Sequence, residues 1–316
     1  MVFSVPPRPP KLRAAAKGQG EDFGMTADRM IGVMGGSGVY DIDGLEEATW
    51  QPVETPFGAP SDEILTGRLH GVRMAFLPRH GRGHRFTPST VNYRANIAAM
   101  KMMGVTDLVA VSAVGSLKEE YAPGDFVIVD QYIDRTFARV KSFFETGLVG
   151  HVSVAHPVCA RLSAHCAEAA RATGVKVHEG GTYVAMEGPQ FSTLAESRLY
   201  RSWGADVIGM TGMPEAKLAR EAELCYACVA MVTDYDCWHP DHDAVDVAQV
   251  VATAIANAGK ARALVAALPA LLKGPAVPCE KGCTHVLDGA IMTAPAKRDP
   301  EVIARLMPVM GRVLKG

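Results

Sequence analysis

From residue 30 onward the chain alternates short, almost wholly apolar runs with longer stretches of helical spacing. "MIGVMGGSG" (30–38) is an apolar run that stops at a glycine turn, and "RMAFLPRHGRGH" (73–84) is another that stops in a basic loop. "STVNYRANIAAMKMMG" (89–104) has its apolar residues at helical spacing, with Ser89 or Thr90 placed to cap its start and Gly104 its end. Further strands are predicted at "TDLVAVSAVGS" (106–116), "GDFVIVD" (124–130), within 176–191, at "ADVIGM" (205–210) and at "LCYACVAMVTD" (224–234). Helices are predicted over 157–173, 193–204, 213–222, 244–273 and 299–314. Residues 131–156 read as a long aromatic connection, a kind usually reserved for function or an interface. Strands apolar on both faces imply a buried sheet, and regular alternation with helices implies an α/β sandwich with helices on both sides. The Pro-rich, then basic stretch 1–24 reads as a tail, with Met25 an alternative start, and 25–316 as a single domain.

Composition narrows this picture. Of 316 residues 48% are hydrophobic and 21% charged, and the net charge of −2 gives no basic field for nucleic acid. No uninterrupted apolar run has membrane-spanning length, and the N-terminus lacks an apolar signal core. Seven scattered cysteines suit a reducing cytoplasm. Cys225 and Cys228 lie in an apolar run and read as small buried hydrophobes. Cys279 and Cys283, near His285, leave open a local disulfide or a zinc site without a convincing fourth ligand; no metal is expected.

The polar clusters fall where strands end, which is where open α/β sheets place their sites. "GGSG" (35–38) offers backbone amides and the Ser37 hydroxyl to an anion, although the same residues make a plain tight turn. "PRHGRGHRFTP" (78–88) gathers Arg79, His80, Arg82, His84 and Arg85, donors suited to an oxyanion. Ser112 ends another buried run. Glu187 and Phe191 flank a Gly-Pro turn and could serve a base or sugar, or simply introduce the next helix. Met210 and Thr211 precede a helix in which Pro214 suits the first turn and Glu215 the positive end. Asp234 and Asp236 close the last strand, and spacing i, i+2 along a strand end would put both on one side. Two neighbouring acids raise one pKa, giving a carboxylic acid able to protonate a purine ring nitrogen and a carboxylate able to accept from an exocyclic amine.

In order, "GVMGGSGVYD", "RHGRGHRFTPSTVNYRANI", "SAVGSLKEEYAPGDFVIVDQYIDRT", "MEGPQFST" and "GMTGMPEA" through "MVTDYDCW" resemble the purine nucleoside phosphorylase family, in the branch that acts on 5′-methylthioadenosine. The resemblance runs from about residue 30 to at least 275. It implies a homotrimeric, cytoplasmic α/β enzyme with a mixed central sheet, without metal or organic cofactor, whose co-substrate is inorganic phosphate. The implied reaction releases adenine and 5-methylthioribose 1-phosphate, in purine and methionine salvage. It implies phosphate binding by Ser37, Arg79, His80, Ser112, Ala113 (through its amide) and Thr211. Met210 would lie under the ribose, Phe191 by the base or sugar, and Asp234 and Asp236 at the adenine, with Asp234 the catalytic acid. Ser192 and Val247 would shape the pocket, Val245, Val247 and Val250 would receive the methylthio group, and His151 would reach a neighbouring subunit's site. Gly209 stands where animal enzymes have Asn, and "GMTGMPEA" is also similar to methylthioinosine phosphorylases, so a methylthioinosine or 6-oxopurine nucleoside phosphorylase is the alternative.

Overall fold

A computed structural model describes residues 29–36, 38–240, 247–274 and 277–315. Ser37, Val245 and the 1–24 tail lie outside the described residues. Within them the strands are β1 (Met30–Gly35), β2 (Glu46–Gln51), β3 (Ile64–Leu69), β4 (Val72–Pro78), β5 (Asp107–Ser116), β6 (Phe126–Val129), β7 (Gln131–Asp134), β8 (Val177–Glu179), β9 (Thr182–Ala185), β10 (Val207–Gly209) and β11 (Cys225–Asp234). The α-helices are α1 (Tyr93–Met102), α2 (Ala160–Ala172), α3 (Leu194–Ser202), α4 (Gly212–Glu221), α5 (Val247–Leu271) and α6 (Pro300–Leu314).

The sheet is mixed and covered on both faces, as the apolar runs demand. Alternate residues of the central strands go to opposite layers. Met34, Leu108, Ala110, Cys228 and Ala230 pack with Ile97 of α1, Leu218 of α4 and Leu306 of α6. Ile31, Val33, Val109, Val111 and Val229 pack with Leu162 of α2 and Leu264 and Leu268 of α5. The same alternation separates Cys225 from Cys228, which lie in different layers.

β5 is the pivot. One edge pairs in parallel with β11 over nearly its whole length. The other edge pairs in parallel with β1 only from Asp107 to Ala110, then antiparallel with β10 at Gly115 and Ser116. Between those pairings, residues 111–114 have no strand on that edge. This splay, with backbone groups unspent by the sheet, is where the polar residues collect.

Several expected boundaries move. Ser89 and Thr90 do not cap α1. The Ser89 hydroxyl is taken by Glu187, and Thr87 and Thr90 bond one another in a turn of their own. Asn92 is the cap, its side chain accepting from the Ala95 N–H at 3.1 Å. Met103 ends the helix, and Gly104 follows it at φ 89°. β2 and β3 were not expected, because "EEATWQ" carries no apolar run and exists as an edge strand by pairing with β3. Nor is 131–156 irregular throughout, since β7 pairs in parallel with β9. By length and composition α5 alone among the described helices could cross a membrane, yet Lys260 and Arg262 interrupt it and Ala261, Leu264, Val265 and Leu268 are buried in the core.

Candidate active site

β4 ends at Pro78 and delivers Arg79 beneath the splay. Its side chain is 2% exposed and is fixed by four hydrogen bonds. Nε and Nη2 donate to Glu215 at 2.6 and 3.0 Å, Nη1 to the Val111 carbonyl at 3.1 Å and Nη2 to the Met34 carbonyl at 3.1 Å. Of five guanidinium N–H groups one, on Nη1, is left for a ligand. Glu215 comes from α4 and also accepts from the Tyr226 hydroxyl at 3.0 Å, so its structural reading holds: it neutralises and aims Arg79.

β10 explains Thr211. Because it runs antiparallel to β5, continuing the Val207↔Ser116 and Ile208↔Gly115 register brings Thr211 beside Ser112. The two buried hydroxyls stand 3.3 Å apart, and the Thr211 N–H meets the Tyr183 hydroxyl at 3.3 Å. The site therefore is not simply at the carboxyl ends of parallel strands: β10 enters from the opposite direction and ends against the middle of β5. Ala113, next in β5, is the exposed position in a strand otherwise buried or half-buried. Arg79, Ser112, Ala113 and Thr211 thus lie around the splay of β5.

His80 joins them from the next position along. Its Nδ1 lies 2.9 Å from the Phe86 carbonyl, which can only accept, so Nδ1 carries the hydrogen and Nε2 bears the lone pair. Burial pulls its pKa down to about 4, with the Arg79 charge adding to the effect. The ring is stacked on His84, with centroids 4.4 Å apart. Arg82 and Arg85, the other basic residues of this loop, instead pair outward with Asp62.

Three residues beyond Ser112, about 10 Å along the strand, Gly115 faces Asp234. A Cβ on Gly115 would stand 3.0 Å from Asp234 Oδ1, so glycine is what admits the carboxylate. β11 bulges between Val232 and Asp234, and this bulge aims the side chain. The Thr233 hydroxyl lies 2.6 Å from Asp234 Oδ2 and 3.1 Å from the Val114 carbonyl. The Asp236 N–H donates to Asp234 Oδ1 at 2.8 Å. Burial pushes the Asp234 carboxyl above its ordinary range, and it does the same to Asp236, where the Asp234 charge adds to it. The two acids do not pair by strand alternation. β11 has ended, Asp236 has φ 52°, and a side chain-to-backbone turn brings them together.

Met210 follows β10, with its sulfur against Gly188; a Cβ there would lie 2.5 Å from Sδ. Ser192 reaches Met186 Sδ at 3.8 Å, and its carbonyl accepts from the Cys237 thiol at 3.4 Å, tying its loop to the segment carrying Asp236. Phe191, on the same loop, is 43% exposed and outside the packed cores. Val247 opens α5 at 60% exposure, and His151 is exposed on the 131–156 connection, with its N–H on the Ala290 carbonyl at 2.9 Å. None of these three has a described hydrogen bond to Arg79, His80, Ser112 or Thr211.

Sequence reasoning missed Arg139. Buried in the connection, it donates to the carbonyls of Met186, Glu187, Met210 and Met213, to the Glu187 carboxylate and to the Tyr93 hydroxyl. Glu187 in turn accepts from the N–H groups of Phe137 and Ala138 at 2.6 and 3.3 Å. Burial would raise Glu187, but these bonds, with that from Ser89, hold it below its ordinary range. Arg139 and Glu187 thus clamp the turn that carries Met210. Arg139 is one of several charged residues in the connection, with Arg135 and Lys141 nearby, and nothing local in the sequence fixed its partners.

Residues 30–269 match the family model described as the phosphorylase superfamily. The chain belongs to the phosphorylase superfamily. It is 72% identical over 287 residues to the S-methyl-5′-thioadenosine phosphorylase of Cereibacter sphaeroides, covering 91% of this chain and 99% of that one. It is 62% identical over 285 residues to the enzyme of the same name from Rhodospirillum rubrum, covering 90% and 97%. Among solved structures it resembles a methylthioadenosine phosphorylase from an antarctic soil metagenomic library, with TM-score 0.84, 45% identity, and coverage of 89% of this chain and 99% of that one. It also resembles the Schistosoma mansoni methylthioadenosine phosphorylase in complex with adenine, with TM-score 0.78, 34% identity, and coverage of 83% and 99%. Within the superfamily, the mixed, two-faced sheet described above is thus shared with nucleoside phosphorylases.

Proposed function

We propose that the chain is a pentosyltransferase that cleaves S-methyl-5′-thioadenosine with inorganic phosphate, giving adenine and 5-methylthioribose 1-phosphate. The observation that carries this reading is a half-buried carboxyl, Asp234, pushed up in pKa by burial and set about 10 Å along β5 from a pocket of anion donors. Relatives at 72% and 62% identity bear the corresponding name.

Phosphate would sit at the splay of β5, held by the spare Arg79 N–H, the Ser112 and Thr211 hydroxyls, the Ala113 amide and Ser37. Neutral His80 offers Nε2 as an acceptor, which suits a phosphate oxygen that still carries a proton. As the bond from C1′ to the purine breaks, its electron pair moves into the ring and positive charge builds on the sugar. The fixed phosphate stabilises that cation and closes on C1′. Asp234 donates its proton to the imidazole nitrogen of the leaving purine. The Thr233 hydroxyl, with the Val114 carbonyl as a second acceptor, leaves Oδ2 able to hold that proton. Asp236 accepts from the exocyclic amine, directly or through water. Met210 lies under the ribose, with Phe191 and Ser192 at its rim and Val247 and Val250 toward the 5′ substituent. No step runs through a metal or organic cofactor.

We also assign a homotrimer in which the 131–156 connection meets a neighbour and brings His151 to its site. In support, Phe137 is 81% and Val140 58% exposed on that connection. The setting is purine and methionine salvage in the cytoplasm. Purified protein, incubated with methylthioadenosine, methylthioinosine, adenosine and inosine, with and without phosphate, tests the reaction. Adenine released fastest from methylthioadenosine, and only with phosphate, is the expected result. Preferential release of hypoxanthine would assign Asp234 and Asp236 to a 6-oxopurine and overturn the base reading.

A further inference from the structure

Four buried cysteines, Cys159, Cys225, Cys279 and Cys283, bring their sulfurs within 4.8 Å of one another at the end of β11 remote from Asp234. They come from three separate parts of the chain. Cys159 is the N-cap of α2, Cys225 is the first residue of β11, and Cys279 and Cys283 flank the turn after α5. The third and fourth ligands that were not evident beside Cys279 and Cys283 are thus supplied by the fold. His285 plays no part: it is exposed and faces Asp288.

We infer that these four thiols form a structural tetrathiolate site for a single zinc ion. A tetrahedron with Zn–S bonds of 2.3 Å sets its sulfurs about 3.8 Å apart, so the observed group needs only a small contraction. An iron–sulfur cluster would hold its thiolates farther apart. The spacing Cys279-x3-Cys283 lies within the range that lets two nearby cysteines share an ion.

The surroundings are built for negative sulfur. The Cys283 N–H donates to Cys279 Sγ at 2.9 Å. Cys159 sits where the free amides of α2 favour a thiolate. Arg220 is 7% exposed and makes no salt bridge among the described residues. It donates to the Ser153 and Lys281 carbonyls at 3.3 and 3.2 Å and aims Nη1 at Cys283 Sγ, 3.2 Å away. A buried guanidinium with neutral partners alone is costly, and a zinc tetrathiolate, with net charge −2, supplies the missing counter-charge. Arg161, which pairs with Asp107 and stands beside Cys225, keeps a buried Nε without a hydrogen-bond partner. Binding releases the thiol protons to solvent as four Zn–S bonds form. The ion would tie the turn after α5 to α2 and β11, about 30 Å along the strand from Asp234.

The test uses the full chain, purified with reduced thiols and dialysed against zinc and then against EDTA. Plasma mass spectrometry should find stoichiometric zinc, released when an organomercurial titrates the thiols. Exchange with Co²⁺ should give an intense sulfur-to-cobalt charge-transfer band and the visible bands of tetrahedral cobalt. Cys279→Ser and Cys283→Ser should lose the metal and lower Tm by roughly 5–10 °C, with KM for nucleoside and phosphate unchanged at low temperature. Zinc at trace level in the unaltered protein would overturn the inference, whether the four thiols then titrate freely or the mass shows two hydrogens lost per disulfide. That measurement stands even where the variants fail to fold, and it is independent of which nucleoside is the substrate.

Discussion

Glu215 on α4 and Arg79 after β4 form a two-bond ion pair at 2.6 and 3.0 Å, with both side chains almost wholly buried. The pair fixes which Arg79 donors remain for a ligand, so the proposed phosphate pocket depends on a residue that need not touch phosphate. Glu215→Gln should destabilise the protein by about 3–5 kcal/mol, because it strands a buried cation. It should also raise KM for phosphate more than KM for the nucleoside. Denaturant unfolding and initial rates measure these effects. Adding Arg79→Met should recover part of the stability but not the phosphate affinity.

Asp234→Asn keeps the shape of the proposed base site and removes the proposed proton donor. Its kcat should fall by about 10²–10⁴-fold, with phosphate affinity nearly unchanged. Burial raises the Asp234 pKa, so in the unaltered enzyme the competent, protonated form is lost as pH rises through that raised value. A kcat–pH profile should therefore decline on its alkaline side, and that limb should vanish in the variant. The stability linkage has the same sign: relative to Asp234→Asn, the parent loses stability as pH rises from 3.8 through the raised folded value.

His80 works in the other direction. Its folded pKa is lowered from 6.5 to about 4, chiefly by burial. Between these values the unfolded chain takes up a proton that the native state refuses, so stability falls as pH drops from 6.5 toward 4. In His80→Asn this component should be missing, which urea unfolding at a series of pH values would reveal.

Gly188 has φ 68° and meets Met210 where a Cβ would sit 2.5 Å from sulfur. Gly188→Ala should cost about 1–3 kcal/mol in stability and displace Met210, raising KM for the nucleoside while sparing KM for phosphate. Equal effects on both would show that the turn serves the site as a whole and not the ribose face.

Arg139→Met would remove the clamp on the Met210 turn and leave Glu187 half-buried without its cation. A stability loss of about 3–5 kcal/mol is expected. If the clamp positions the turn, kcat/KM for the nucleoside should fall in Arg139→Lys even where that variant folds normally. Thermal unfolding and steady-state kinetics separate the two effects.

Much of this architecture was legible locally. Runs such as 30–35, 108–111 and 225–232 are apolar at consecutive positions, and only a sheet covered on both faces can bury them. The clusters at 79–80, 112–113, 210–211 and 234–236 marked the site because polar groups directly after buried strands need a partner. Strands β2 and β7 were not legible, since neither carries an apolar pattern and each forms only when a neighbour supplies its hydrogen bonds.

What the sequence determined by itself was the set of chemical groups and the strand ends that carry them, because hydrophobic periodicity and side-chain chemistry are local properties. What only the tertiary structure decided was their assembly. The reversed direction of β10 brings Thr211 to Ser112, the bulge at Thr233 aims Asp234, and Arg139 finds four carbonyls spread across 28 residues, from Met186 to Met213. Cys159 and Cys225 meet Cys279 and Cys283 for the same reason. Such contacts join residues tens to hundreds of positions apart, and their geometry is set by how strands pair and helices pack, which no local pattern encodes.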